Sequence, residues 1–150
     1  TIFVMIAVPL ASLLAFGFLY WFITKTETGA ALEATAQDRQ AAALMGINTE
    51  WMFTLGWGIS SATVGIAGAF LASFFYVFPY VGSLFGLIAY VTVALGGFGS
   101  IPGSLVAGII IGVIEVLGGL LIAPAYKYVA VFLIYLIVVL IRPQGLFGKF

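Results

Sequence analysis

The sequence has 150 residues, of which 64% are hydrophobic and 7% charged, and its mean hydropathy is +1.28. Soluble domains carry about 25% charged residues, so the composition predicts an integral membrane protein. The zero net charge gives no reason to expect nucleic-acid binding. The absence of cysteine and histidine excludes disulfides, thiolate chemistry, imidazole metal sites and Ser–His catalysis within this chain.

Five apolar runs predict an all-α, polytopic transmembrane bundle of about five spans. The runs cover about residues 2–23, 51–78, 80–95, 104–122 and 126–141. Pro9 is expected to kink the first helix. The third run is short, so it is either a full crossing, which we favour, or a re-entrant segment. The chain starts without an initiator methionine or a signal-peptide pattern. We therefore interpret residues 1–150 as the C-terminal part of one longer transmembrane domain.

One internal polar segment, residues 25–50, lies between the first two runs. It holds six of the ten charged residues, namely Lys25, Glu27, Glu33, Asp38, Arg39 and Glu50. If this segment is cytoplasmic, four of the five basic residues lie inside, and only Lys127 lies outside. A re-entrant third run would give a poorer division of three against two. The charges therefore predict an external N-terminus and a cytoplasmic C-terminus.

The polar segment is predicted to form one helix from Ala30 to Met45, because it is rich in good helix formers. Gly46 stands where a left-handed C-cap is expected, and Thr26 or Thr28 is suited to the N-cap. A weakly apolar face is formed at helical spacing by Leu32, Ala36, Ala43 and Ile47. From composition alone, the segment is either a solvated connection between spans or a surface that meets a soluble partner.

Small residues follow helical spacing in two of the runs. One stripe is Ser61, Gly65, Gly68 and Ala72, and the other is Ser104, Gly108, Gly112, Glu115 and Gly119. Such stripes favour close helix packing in lipid, either with each other or with a part of the protein outside this chain. Glu115 either lines a substrate path or is a neutral acid bonded to nearby backbone; the structural role is favoured.

The glycine-rich run 96–103 joins the third and fourth predicted spans. It lacks the lysine of a phosphate-binding loop. Ser100 is suited to cap the helix that follows, with Pro102 in its first turn. The run is therefore interpreted as a tight chain reversal.

Three motifs in order resemble one known family. Residues 34–48 read Ala-Thr-Ala-Gln-Asp-Arg-Gln-Ala-Ala-Ala-Leu-Met-Gly-Ile-Asn, and they resemble the cytoplasmic coupling segment of branched-chain amino acid ABC-transporter permeases. The runs Leu-Gly-Gly-Phe-Gly-Ser-Ile-Pro-Gly at 95–103 and Arg-Pro-Gln-Gly-Leu-Phe-Gly at 142–148 match the same family. The resemblance covers the chain from about residue 29. It departs at Glu27 and Glu33, where a more basic approach to the coupling helix is expected.

The resemblance implies a permease subunit of an ABC importer in the bacterial or archaeal inner membrane, translocating branched-chain or related small amino acids by alternating access. It is a transport subunit rather than an enzyme. The implied partners are cytoplasmic ABC ATPase subunits, a second permease subunit, an extracytoplasmic substrate-binding protein and membrane lipid. No cofactor is expected on this chain. ATP is used by the partner, because the sequence lacks a Gly-x-x-x-x-Gly-Lys-[Ser/Thr] motif.

The resemblance also places the ATPase-coupling residues in the polar segment: Glu33, Ala36, Asp38, Arg39, Ala43, Leu44 and Gly46. The expected helix-packing or substrate-path residues are Gly108, Gly112, Glu115 and Gly119. The alternative is a secondary transporter or channel segment that has no ATPase partner. An intramembrane enzyme is disfavoured, because the only deep carboxylate, Glu115, has no second carboxylate beside it in the sequence.

Overall fold

A computed structural model describes residues 2–148, and every regular element in that range is helical. The seven α-helices are α1 (Ile2–Lys25), α2 (Glu27–Gln37), α3 (Arg39–Leu44), α4 (Thr49–Ala72), α5 (Val81–Gly96), α6 (Ile101–Leu121) and α7 (Lys127–Ile141), with a 3₁₀ turn at Pro124–Tyr126. The predicted all-α class is confirmed. Lys149, which entered the charge count for orientation, lies outside the described residues.

Four segments of the described chain are long and apolar enough to cross a membrane: Ile2–Lys25, Thr49–Ala72, Ile101–Leu121 and Pro124–Ile141. They correspond to four of the five predicted spans. The remaining predicted span, the third in chain order at residues 80–95, corresponds to the 16-residue α5. At 1.5 Å per residue it is about 24 Å long, somewhat less than the roughly 30 Å hydrocarbon core. Its full crossing stays a prediction.

The second span was predicted to continue to residue 78, and this was wrong, because α4 ends at Ala72. The Ser73 N–H donates to the Phe70 carbonyl at 3.1 Å, which closes the last turn. The residues that follow are aromatic or β-branched, which weakens the helix, and Pro79 disfavours helical backbone at Phe78. Hydropathy alone could not detect this end, because these residues are as apolar as the helix.

The chain divides into two compact units, with the boundary between Val77 and Phe78. The first unit contains α1 to α4. Its long helices α1 and α4 have no buried residues, and burial is limited to Gly29, Thr35 and Ala42 of the short helices. The second unit contains α5, α6 and α7. That all 150 residues belong to one transmembrane domain stays a prediction.

The second unit has an apolar core shared by its three helices. Leu95 of α5 is 1% exposed and Val131 of α7 is 2% exposed, and both pack with Ala107 and Ile111 of α6. The α5–α6 turn is narrow because Gly96 and Gly103 touch. A Cβ on Gly96 would lie 2.5 Å from the Gly103 carbonyl carbon. The predicted cap is confirmed, since Ser100 Oγ accepts from the Gly103 N–H at 3.1 Å with Pro102 in the first turn.

Candidate functional site

The polar segment starts at a capped bend directly after α1. Thr26 is the N-cap of α2: its Oγ1 accepts from the Gly29 N–H at 3.1 Å and donates to the Phe22 carbonyl. Of the two predicted caps, the structure therefore uses Thr26. Gly29 is buried against backbone atoms of Phe22 and Ile23, where a Cβ has no room. This contact holds the start of α2 tightly against the end of α1.

The prediction of one helix from Ala30 to Met45 was wrong, because the segment forms two helices that meet at Asp38. Asp38 has extended backbone, with φ −149°. Its N–H donates to the Ala34 carbonyl at 3.0 Å and so ends α2. Its Oδ1 accepts from the N–H groups of Gln40 and Ala41, at 2.9 and 3.1 Å, and so begins α3. A short polar side chain that accepts from nearby N–H groups competes with helical backbone, and at Asp38 the helix is interrupted as a result.

Helix α3 ends as predicted, at a left-handed glycine. Gly46 has φ +85°. Its N–H donates to the Ala43 carbonyl at 3.1 Å, and the Ile47 N–H donates to the Ala42 carbonyl at 3.1 Å. These two bonds form a Schellman motif, which satisfies carbonyl groups that the helix end would leave unpaired. The six-residue helix is thus fixed at both ends by its own residues.

One side of α3 packs on the protein and the other faces outward. Ala42 is 4% exposed, and the Arg39 guanidinium lies 5.1 Å from the ring centre of Phe53 in α4. On the outward side, Leu44 is 88% exposed and Met45 is 82% exposed. Of the predicted weakly apolar face, Leu32 and Ile47 are half-buried, whereas two smaller members, Ala36 and Ala43, are exposed. All seven predicted coupling residues are exposed: Glu33, Ala36, Asp38, Arg39, Ala43, Leu44 and Gly46.

The predicted small-residue stripe of α6 lies beside the buried face of this helix rather than on it. The buried positions are Gly103, Ala107, Ile111 and Gly118. Gly108 and Gly112 are exposed within their unit, and Gly119 is half-buried near the Lys127 side chain. The stripe of α4 is also exposed within its own unit. A packing role for both stripes therefore stays a prediction.

Glu115 has a partner that the sequence reasoning missed. Its Oε1 lies 3.1 Å from the Lys127 Nζ, and each side chain is about a quarter exposed, at 27% and 28%. The ammonium group also lies 4.7 Å from the ring centre of Tyr128. A usable signal was present: one acid near the end of a span is followed, after a short turn, by one base at the start of the next. Lone charges at membrane depth pair with one another.

The C-terminal segment 142–148, called the tail here, returns to the α5–α6 turn. The Leu146 N–H donates to the Leu95 carbonyl at 2.8 Å, and the Phe147 N–H donates to the Gly96 carbonyl at 3.2 Å. The Leu146 side chain packs against the core, and Gly145 is buried with φ +79°. Two of the three motifs that carried the resemblance are therefore in direct contact.

The apolar helices and the folded polar segment between the first two long ones define a multi-pass helical membrane protein. The family described as the permease component of the branched-chain amino acid transport system matches residues 1–140. The chain belongs to this family, whose members are transport subunits rather than enzymes.

Three relatives illustrate the range of the match. The chain is 38% identical over 129 residues to the high-affinity branched-chain amino acid transport system permease protein LivH of Salmonella typhimurium, covering 85% of this chain and 42% of that protein. It is 36% identical over 138 residues to BraD of Pseudomonas aeruginosa, covering 91% and 45%. It is 33% identical over 137 residues to a probable LivH of Methanocaldococcus jannaschii, covering 87% and 44%.

The chain thus spans less than half the length of these curated relatives. No solved structure matches it significantly.

Proposed function

We propose that this chain is the C-terminal part of a permease subunit that moves branched-chain or related small amino acids across the cell membrane. Transport proceeds by alternating access and is driven by ATP hydrolysis on separate subunits. Membership of the permease family supports the proposal, and so do the relatives named as branched-chain amino acid permeases. The absence of a phosphate-binding lysine motif from the sequence agrees with an ATPase supplied by another chain.

One observation carries the coupling role: the last residue of α3 and the C-cap residue after it present two large apolar side chains outward from a polar segment. Leu44 and Met45 are each more than four-fifths exposed. The segment lies between two spans and holds most of the charge, so these side chains face water rather than lipid. Exposed apolar groups rimmed by polar residues are typical of protein interaction sites. The proposed occupant is a cleft of the cytoplasmic ATPase.

The other coupling residues fit this surface by position. Asp38 and Gly46 fix the two ends of α3, and Arg39 holds it against α4 through Phe53. Ala36 and Ala43 expose small side chains that allow close approach. Glu33 adds an exposed negative charge to the preceding helix. Charges around an apolar centre set the orientation of docking more than its affinity.

The remaining partners follow from the same proposal. A second permease subunit completes the pathway, and an extracytoplasmic binding protein delivers the amino acid. The exposed surface at Gly108 and Gly112 is suited to close helix contact. A Cβ on Gly112 would meet no atom within 4 Å in this chain, and one on Gly108 would only make ordinary contact with Thr92 of α5, at 3.6 Å. That surface is the proposed contact with the rest of the permease.

The test uses the full-length permease with its ATPase, and two variants separate docking from coupling. Leu44→Glu places a charge in the apolar contact, and co-purification of the ATPase is expected to fall at least about tenfold, as for a central interface residue. Leu44→Met keeps an apolar side chain and is the matched control, with co-purification unchanged. Gly46→Val strains the left-handed C-cap, so the ATPase is expected to remain bound while uptake per ATP hydrolysed falls.

Three results would contradict the proposal. The first is unchanged co-purification in Leu44→Glu, and the second is unchanged substrate-stimulated uptake in Gly46→Val. The third is uptake that follows an ion gradient and ignores ATP depletion. That last result would favour the secondary transporter or channel.

A further inference from the structure

The tail completes the hydrogen bonding of a helix that is distant in sequence. Helix α5 ends at Gly96, and the last carbonyl groups of any α-helix have no partner within the helix. Here the Leu95 and Gly96 carbonyls accept from the Leu146 and Phe147 N–H groups of the tail. A backbone group left unpaired away from water costs free energy, so these two hydrogen bonds stabilise the end of α5. The tail therefore acts as the C-terminal cap of α5.

The contact is made by backbone against backbone, and glycine is what permits it. Gly97 and Gly145 both have positive φ, at +96° and +79°. A Cβ on Gly145 would lie 2.5 Å from the Gly97 nitrogen and 2.6 Å from the Gly97 Cα. A Cβ on Gly97 would lie 2.5 Å from the Gly148 nitrogen. Backbone atoms cannot move aside as a flexible side chain can, so the fit depends on both glycines.

The same tail also reaches the start of α6. A Cβ on Gly103 would come within 3.0 Å of the Phe147 Cβ, and Leu146 packs on the core that α5, α6 and α7 share. The tail follows α7 directly, because α7 ends at Ile141 and the first tail residue, Arg142, is its C-cap. One short segment thus contacts the C-terminal end of α5 and the N-terminal end of α6, and it is covalently joined to the C-terminal end of α7.

We propose that the tail is a clasp that fastens the end of α7 to the α5–α6 turn, so that these three helices move as one rigid body when the permease changes conformation. The rigid-body part rests on the proposed transport function, because it concerns the states of a transport cycle. The clasp itself does not depend on which solute is carried. Gly97 and Gly145 are positioning residues in this device.

The first experiment compares two glycines of the full-length permease. Both have a positive φ, which strains any other residue, but their surroundings differ. Gly145→Ala and Gly99→Ala both place a Cβ at positive φ, but a Cβ on Gly99 would meet no atom within 4 Å. The sequence has no cysteine, so Phe147→Cys provides the single spin-label site in this part of the protein. Any cysteine elsewhere in the full-length protein is first replaced.

Gly145→Ala is expected to lower the ratio of immobile to mobile label at least about tenfold, the effect of a methyl group that a packed site cannot hold. Gly99→Ala is expected to leave the label as immobile as in the parent protein. Equal mobility in both variants would overturn the clasp. High mobility in both would mean that backbone strain alone accounts for the result, and low mobility in both would mean that the contact does not depend on Gly145.

The second experiment needs no substitution, so it also decides the matter if Gly145→Ala fails to fold. Hydrogen exchange of the Leu146 and Phe147 amides is measured in the resting complex and in the vanadate-trapped complex. A clasp that stays closed gives the same protection in both states. Protection that is tenfold or more lower in one state than in the other would overturn the rigid-body proposal. If the protein proves not to be ATP-driven, trapping fails for the parent protein, while the label experiment still tests the clasp.

Discussion

The two ends of helix α6 are joined to their neighbours by different chemistry. Near Gly103, the contacts are backbone against backbone, made by glycines and by the tail. Near Glu115, about 18 Å further along the helix at 1.5 Å per residue, the contact is a side-chain ion pair with Lys127. The first end therefore depends on the absence of side chains. The second end also has a closely packed glycine, Gly118, where a Cβ would lie 3.1 Å from the Ala130 Cβ, but it depends in addition on the presence of two particular side chains.

This difference predicts different tolerance to substitution. A backbone contact has no slack, because added atoms meet a chain that is itself held by hydrogen bonds. An ion pair that is about a quarter exposed is partly screened by its surroundings, and either partner can be replaced together with the other. We therefore expect steep losses at the glycine end and moderate, compensable losses at the charged end.

The largest effect is expected from Gly96→Val. Its Cβ would lie 2.5 Å from the Gly103 carbonyl carbon and 2.6 Å from the Ser104 nitrogen, so α5 and α6 must separate at the turn. The expected cost is about 3 kcal/mol or more, at the upper end of overpacking effects. The measurement is the yield and melting temperature of the purified permease. A Cβ on Gly86 in the same helix would meet no atom within 4 Å, so Gly86→Val is the control; similar losses in both variants would contradict the comparison.

A moderate effect is expected from Lys127→Met, which leaves the Glu115 carboxylate without its partner. Neither side chain is fully buried, so the expected loss is about 1 kcal/mol rather than the 3 to 5 kcal/mol of a fully buried pair. Thermal unfolding in nanodiscs measures it. The double variant Glu115→Gln/Lys127→Met removes both charges and should recover most of the stability. A double variant less stable than Lys127→Met alone would show that the pair is not what joins this end.

The smallest effect is expected from Glu115→Gln on transport. An amide keeps the size of the side chain and can still accept a hydrogen bond from Lys127, so amino acid uptake should stay within about twofold of the parent protein. The control is Lys127→Arg, which keeps the positive charge beside Glu115 and is expected to leave uptake equally unchanged. Uptake that falls tenfold while the melting temperature is unchanged would instead place Glu115 on the substrate path, and the charged end would then have a second role.

Much of the fold was accessible from local sequence. The apolar runs gave α1, α6 and α7 to within a few residues, because length and hydropathy together determine a span. Gly46 and Ser100 were recognised as cap residues because cap chemistry is local. The break at Asp38 was missed, although the signal was there. A capping residue inside a run of helix formers was outweighed by the propensity of its neighbours.

The contact between the tail and the α5–α6 turn could not have been predicted from local sequence. The tail and the α5–α6 turn are separated by two helices, and no short window of sequence contains both. Gly96, Gly97 and Gly145 each look like ordinary turn residues on their own. Their shared role appears only in the folded protein, where a Cβ on any of the three would lie within 3 Å of the backbone of another segment. The stripe of α6 shows a second limit, because the spacing identified a row of small residues but not which face of the helix is buried in its unit.

The local capping of α3 has a consequence for how such proteins diversify. Asp38 and Gly46 close the helix with bonds that stay inside residues 38–47. A segment that forms its own ends can be exchanged between related chains, provided that its contacts with α4, such as Arg39 with Phe53, are kept. If Leu44 and Met45 meet the ATPase as proposed, changes in these two residues would alter the choice of that partner while the membrane helices stay the same.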